Sequence, residues 1–157
     1  MTLDDLTVNF EHLNREELLS EWKWLIDDIN LPILISASGD AFVQNVNNGS
    51  VSCLDTATAE VFEVASDISE FHRLLTEIEF VENHFAVNMV DDLINNGIRL
   101  EPGKVYSYKK PPVLGGDYVL ENIEPTDIDV HFSITGQIHC QVKYLPEGTI
   151  ISDIKIK

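Results

Sequence analysis

The run ILISASGDAFVQNVNNGSVSCLDTATAEVFEVA, residues 33–65, decides the fold class. It contains four short segments rich in β-branched and aromatic side chains, at Ile33–Ala37, Ala41–Val46, Val51–Leu54 and Glu60–Ala65. Between them lie Gly39-Asp40, Asn47-Asn48-Gly49 and a Thr/Ala stretch. Glycine and asparagine tolerate the left-handed backbone angles of tight turns, so this alternation predicts an antiparallel meander. One face of that sheet is expected to be covered by helices.

Helical spacing appears on both sides of the meander. Upstream, Leu18, Leu19, Trp22, Leu25, Ile26 and Ile29 recur at intervals of three and four, predicting an amphipathic helix over 15–29. Asn14 and Glu17 stand where a capping pair would open it, and Asn30 with Pro32 would stop it. Trp24 falls off the main stripe and reads as a second edge of the core. Downstream, Asp67 and Glu70 resemble a capping box for a helix through Phe71, Leu74, Leu75 and Ile78, followed by a second helix over 85–96 that Gly97 ends.

Past residue 100, Lys104–Lys110 reads as a strand, Pro111–Gly116 as a rigid bend and Tyr118–Ile123 as another strand. Val130, Ile134, Ile138, Val142 and Leu145 mark a last helix with Thr126 as its cap and Pro146 as its end. Thr149–Lys157 fits an edge strand or a loosely held tail. The expectation is an α+β fold in a single domain, 1–157: an antiparallel meander packed against several α-helices, with residues 1–32 as an N-terminal helical segment and 33–157 as the core.

Charge narrows the choice of partner. The chain holds 27 acidic and 10 basic residues, for a net charge of −17. Residues 1–100 carry 19 of the acids against 4 bases. So few cations cannot build the basic face that a phosphate backbone or an anionic membrane requires, whereas a basic protein would be attracted. A solvated surface that serves only solubility is the competing reading. The densest acidic group falls on the two helices after the meander: Glu77, Glu79, Glu82, Asp91 and Asp92. These five are the candidate partner-binding residues.

Chemistry finds little support. The two cysteines, Cys53 and Cys140, have neither a partner motif nor zinc-ligand spacing, which fits buried reduced thiols. The N-terminal residues show no signal-peptide pattern, and no apolar run approaches the ~20 residues of a membrane span. A cytoplasmic location is expected. His131 and His139 lie about 80° apart around an ideal helix, so they are only loosely on one side. With Cys140 adjacent, they supply fewer ligands than a closed zinc site usually has. Gly115-Gly116 lacks a phosphate-loop pattern, and Asp117 after it would repel phosphate. No nucleophile elbow occurs, and adjacent acids such as Asp27-Asp28 diverge by about 100° on a helix. No catalytic residue, metal or cofactor is therefore expected, although a hydrolase using His131 or His139 with nearby carboxylates stays open as an alternative.

Several motifs carry a resemblance. Lys110-Pro-Pro-Val-Leu-Gly-Gly-Asp-Tyr-Val-Leu-Glu-Asn-Ile (110–123), Val130-His-Phe-Ser-Ile-Thr-Gly-Gln-Ile-His (130–139) and Leu145-Pro-Glu-Gly-Thr (145–149) form one set. Gly39-Asp40-Ala-Phe-Val-Gln and Leu54-Asp55 extend it upstream. Together they resemble the C-terminal domain of type VI secretion immunity proteins that protect bacteria against DNase effectors. The resemblance implies an α+β domain that binds and blocks a cognate protein toxin without a cofactor; the acidic charge adds the expectation that the toxin presents a basic active-site surface, as a nuclease would. Related immunity proteins occur in polymorphic toxin loci, so the toxin class and delivery system stay open. Within the motifs, Pro111, Pro112, Gly115, Gly116, Asn122, Gly136 and Gln137 are expected to maintain the fold and not to touch the toxin. A regulatory or scaffold module that binds a different protein is the main alternative, and the oligomeric state is open.

Overall fold

Alternation along Ala41-Phe42-Val43 organises the molecule, because successive strand side chains point to opposite faces of a sheet. All three are fully buried. Phe42 joins one apolar cluster, with Cys53, Phe71, Phe80, Phe85 and Leu93. Ala41 and Val43 join a second, with Leu18, Trp22, Ile35, Leu54 and Phe132. The computed structural model describes residues 1–157. Both faces of the sheet's central strands are thus covered, not the one face that the turn pattern suggested.

The sheet has five antiparallel strands in sequential order: β1 (Thr7–Val8), β2 (Asn30–Ser36), β3 (Ala41–Asn45), β4 (Val51–Asp55) and β5 (Glu60–Ala65). It is the expected meander, extended by the short β1. A second ladder pairs β6 (Lys104–Tyr108) with β7 (Ile123–Asp127). The amide of Tyr106 donates to Ala37 O at 2.8 Å, tying this ladder to the first sheet. Helices α1 (Leu3–Leu6), α2 (Ile68–Leu74), α3 (Ile78–His84), α4 (Val87–Asn95) and α5 (Ile128–Val142) complete a single α+β domain. Phe71, Phe80, Val90 and Leu93 bring α2, α3 and α4 onto the first cluster. Ile128 and Phe132 bring α5 onto the second.

The expected helix over 15–29 is instead a series of turns around a short 3-10 segment, Ser20–Trp22. Its stripe is buried as read, with Leu18, Leu19, Trp22 and Ile26 inside, but bonds of mixed i+3 and i+4 span achieve this. Asn14 Oδ1 accepts from Glu16 N at 2.9 Å, two residues on, which closes a turn and does not open a helix. Trp24 lies half-buried, stacked on Trp22 at 5.6 Å, and donates Nε1–H to Gly136 O at 3.2 Å. Pro32, expected to stop the helix, lies within β2, beside a shift in register.

Three further boundaries move for local reasons. Asp67 caps α2 as expected, accepting from Glu70 N at 2.8 Å, but α2 ends at Leu74 because Thr76 N and Oγ1 both donate to Arg73 O. Ile78 then opens α3 and is 76% exposed, so it is no part of the core stripe. Tyr118 does not begin a strand: a 3-10 turn, Leu120–Asn122, precedes β7, since the Asn122 side chain holds the loop back to Lys110. Thr126 is consequently within β7 opposite Val105, Asp127 stands at the N-cap of α5, and α5 stops at Val142 before Pro146. Residues 149–157 form no strand. Lys155 N and Lys157 N instead donate to the side-chain carbonyls of Gln141 and Gln137.

Candidate functional site

The five acidic candidates are all exposed, on α3, α4 and the residue before α3. Glu77 sits at the N-cap position of α3 and pairs with Arg73 one turn back on α2. Glu77 and Glu82 border one concavity of about 250 Å³, whose walls include Leu3, Leu75, Ile78 and Val87. Glu79, Asp91 and Asp92 lie outside it. Two of the five carboxylates thus border an apolar dent, and the other three are exposed elsewhere on α3 and α4.

The motif residues make close backbone contacts. Asn122 Oδ1 accepts from Lys110 N at 2.9 Å, while Nδ2 donates to Lys110 O at 2.8 Å and Asp117 O at 2.9 Å. A Cβ on Gly116 would fall 1.8 Å from Lys110 O, and Gly115 adopts φ +92° after a short 3-10 turn that Pro111 leads into and Pro112 begins. At Gly136 a Cβ would lie 2.6 Å from Glu21 O, so a bare backbone lets α5 approach the 15–29 turns. Gln137 Nε2 donates to Ser133 Oγ at 3.0 Å, and its Oε1 receives Lys157 N.

A polar network joins two of the segments that carry the resemblance, 39–44 and 130–139. His131 is 4% exposed, and its Nε2 lies 2.7 Å from Gly39 O. A carbonyl only accepts, so Nε2 carries the proton and Nδ1 accepts from Ser107 Oγ–H at 2.7 Å. Thr56 Oγ1 donates to Gly39 O at 2.8 Å, and Thr56 N donates to Asp40 Oδ1 at 3.0 Å. From the other end of α5, His139 Nε2 bonds Thr56 O at 2.9 Å. Burial, opposed only by the Gly39 bond, pushes His131 down to about 4 and keeps it neutral. Burial, reinforced by the charge of Asp55, raises Asp40 to about 7.

Asp40, Thr56, Ser107 and His131 of this network form the floor of a cavity of about 190 Å³. Asp40 and Asp55 approach from the meander, Tyr108 from β6, and Pro111, Pro112 and Tyr118 from the loop between β6 and β7. Tyr108 and Tyr118 meet edge to face at 5.5 Å. Ser107 and His131 have the spacing of a nucleophile and its base. A base that titrates near 4 has little drive to take the serine proton at neutral pH, so the pair is better suited to rigid hydrogen bonding. No cluster of three His, Cys, Asp or Glu side chains is arranged for a metal ion. The cavity is hidden in the sequence because Gly39-Asp40 has the pattern of a turn and Tyr118 that of a strand residue. The available signal was that Asp40, Asp55, Pro111 and His131 all belong to the resemblance motifs.

Residues 65–139, from the end of β5 into α5, match the family of the T6SS immunity protein Tdi1, C-terminal. That is the family the sequence resembles. The Tdi1-type segment contains all twelve acidic and fold-maintaining candidates named above, together with Tyr108, Tyr118 and His131, whereas Asp40 and Asp55 precede it. The chain is also similar to the crystal structure of Atu4351 from Agrobacterium tumefaciens, with 21% identity and a TM-score of 0.60. That match covers 80% of this chain and 65% of the other, slightly under two thirds of its length, and shows a shared fold. No curated protein matches. No helix is long and apolar enough to cross a membrane.

Proposed function

We propose that this chain is a bacterial immunity protein that binds a cognate protein toxin in the cytoplasm and neutralises it, acting by occlusion and not by catalysis. The observation that carries the reading is the match of residues 65–139 to a type VI secretion immunity family. The charge of −17 supports a partner with a basic surface, such as the substrate cleft of a nuclease, and argues against direct contact with nucleic acid. Glu77, Glu79, Glu82, Asp91 and Asp92 are the proposed acidic contacts. Charge at the rim would speed encounter and select the partner, while buried contacts would supply most of the affinity. Pro111, Pro112, Gly115, Gly116, Asn122, Gly136 and Gln137 are proposed to maintain the fold and not to touch the toxin.

The test is co-expression with the toxin encoded beside this chain, measuring growth and recovering the complex. Rescue together with a stable complex is the expected outcome. Continued toxicity with no complex would overturn the reading.

A further inference from the structure

The geometry points to the cavity between Asp40, Asp55, Tyr108 and Tyr118 as a socket for one lysine or arginine side chain of a protein partner, an inference that rests on the immunity reading above.

Size selects the occupant first. The cavity, about 190 Å³, lies below the roughly 300–1,000 Å³ of pockets that enclose drug-sized ligands. A single long side chain suits it better than a nucleotide or a metabolite. Charge selects next. Asp40 and Asp55 are the carboxyl groups on its walls, and neither lysine nor arginine lines it. His131 on the floor is neutral, with its proton committed to Gly39 O.

Asp40 has the free valence that such a guest needs. Its Oδ1 takes both contacts from Thr56, whereas Oδ2 receives no bond from the protein. Asp40 is half-buried and lines the cavity, so Oδ2 is the oxygen left for a guest. An ammonium or guanidinium group there would meet Oδ2 and the Asp55 charge together. Tyr118, 66% exposed at the entrance, offers a ring face to the same cation. The elevated titration of Asp40 reflects a carboxylate withdrawn from water without a counter-ion, and a bound cation would reverse it.

The full chain is titrated by NMR with Nα-acetyl-arginine amide, Nα-acetyl-lysine amide and the uncharged Nα-acetyl-citrulline amide. Saturable shifts of the Tyr108, Tyr118 and His131 ring signals with a cationic probe, and none with citrulline, are expected. Tyr118→Ala should weaken them, and its exposed ring makes it a variant that keeps the fold; Asp40→Asn should do the same, with an unchanged amide spectrum as its folding control. Toxin affinity should fall about tenfold in Tyr118→Ala. Cationic probes that leave the signals unmoved, or citrulline moving them equally, overturn the socket. Toxin that binds wild type and both variants alike overturns it too and leaves the immunity reading intact. Probe binding at the cavity with no toxin binding upholds the cation site and overturns the immunity reading instead.

Discussion

His131 on α5 donates its Nε2–H to the carbonyl of Gly39 across 92 residues of sequence, at 2.7 Å, and so fastens the turn between β2 and β3 to the last helix. The contact is close because Gly39 has no side chain. A Cβ there would lie 2.5 Å from Nε2, and the residue adopts φ +88°. His131→Ala leaves Gly39 O short of a partner, frees Ser107 and opens a void under a buried site. We expect a loss of about 2–4 kcal/mol, read as a lower denaturant midpoint. Gly39→Ala should cost about 1–3 kcal/mol through strain and the clash with the ring. Wild-type midpoints for both variants would contradict the fastening role.

A second prediction separates two glycines that look alike in sequence. Gly116 faces Lys110 O so closely that an added Cβ must displace backbone, whereas Gly49 has nothing within 4 Å of that position. Gly116→Ala should therefore destabilise by roughly 2 kcal/mol or more, while Gly49→Ala should cost about 1 kcal/mol from its φ of +80° alone. Asn122→Ala removes three hydrogen bonds from the same loop and should cost about 1–2 kcal/mol. Thermal unfolding of the three variants checks the order, and Gly49→Ala proving the most harmful would refute it.

The parts of this fold legible in sequence rest on neighbours along the chain. Glu60–Ala65 was readable to the residue from its side chains and flanking turns, and the Asp67 cap from the spacing to Glu70. Burial of Leu18, Trp22 and Ile26 was readable too, but turns of three and four residues produce the same period as a helix, so the conformation was not. The Asp40, Thr56 and His131 network is illegible because its contacts span 16 to 92 residues. Tyr118 lies outside the strand for a related reason: Asn122 reaches twelve residues back to Lys110 and delays the strand.

Asp40 and His131 pull stability in opposite directions with pH. The folded state raises Asp40 from 3.8 to about 7, so it holds a proton that the unfolded chain has released, and stability from this group is lost as pH rises through that window. His131 is lowered from 6.5 to about 4, so its contribution is present above 6.5 and is lost as pH falls towards 4. The two largely offset between about pH 4 and 6.5. Asp40→Asn removes only the first. The difference in unfolding free energy between this variant and wild type should thus shift in the variant's favour from pH 4 to 7 and level off above. Urea titrations at four pH values measure it, and a gap independent of pH would show that Asp40 does not titrate as described.

The acidic face makes the last prediction, and the control must separate a local patch from the charge of the whole molecule. Asp91→Lys with Asp92→Lys changes the net charge by the same amount as Asp27→Lys with Asp28→Lys, and all four residues are exposed. Steering by total charge would slow association with the toxin equally in the two pairs, since distant charges act through the same screened field. An interface on α4 predicts a different pattern. The Asp91/Asp92 pair should then slow association about tenfold at low salt and flatten its salt dependence, because like charges would be forced together at contact, while the Asp27/Asp28 pair should change it much less. Stopped-flow association at several ionic strengths distinguishes the two. Equal slowing would move the interface away from α4, and an unchanged rate in both would remove electrostatic steering from the account altogether.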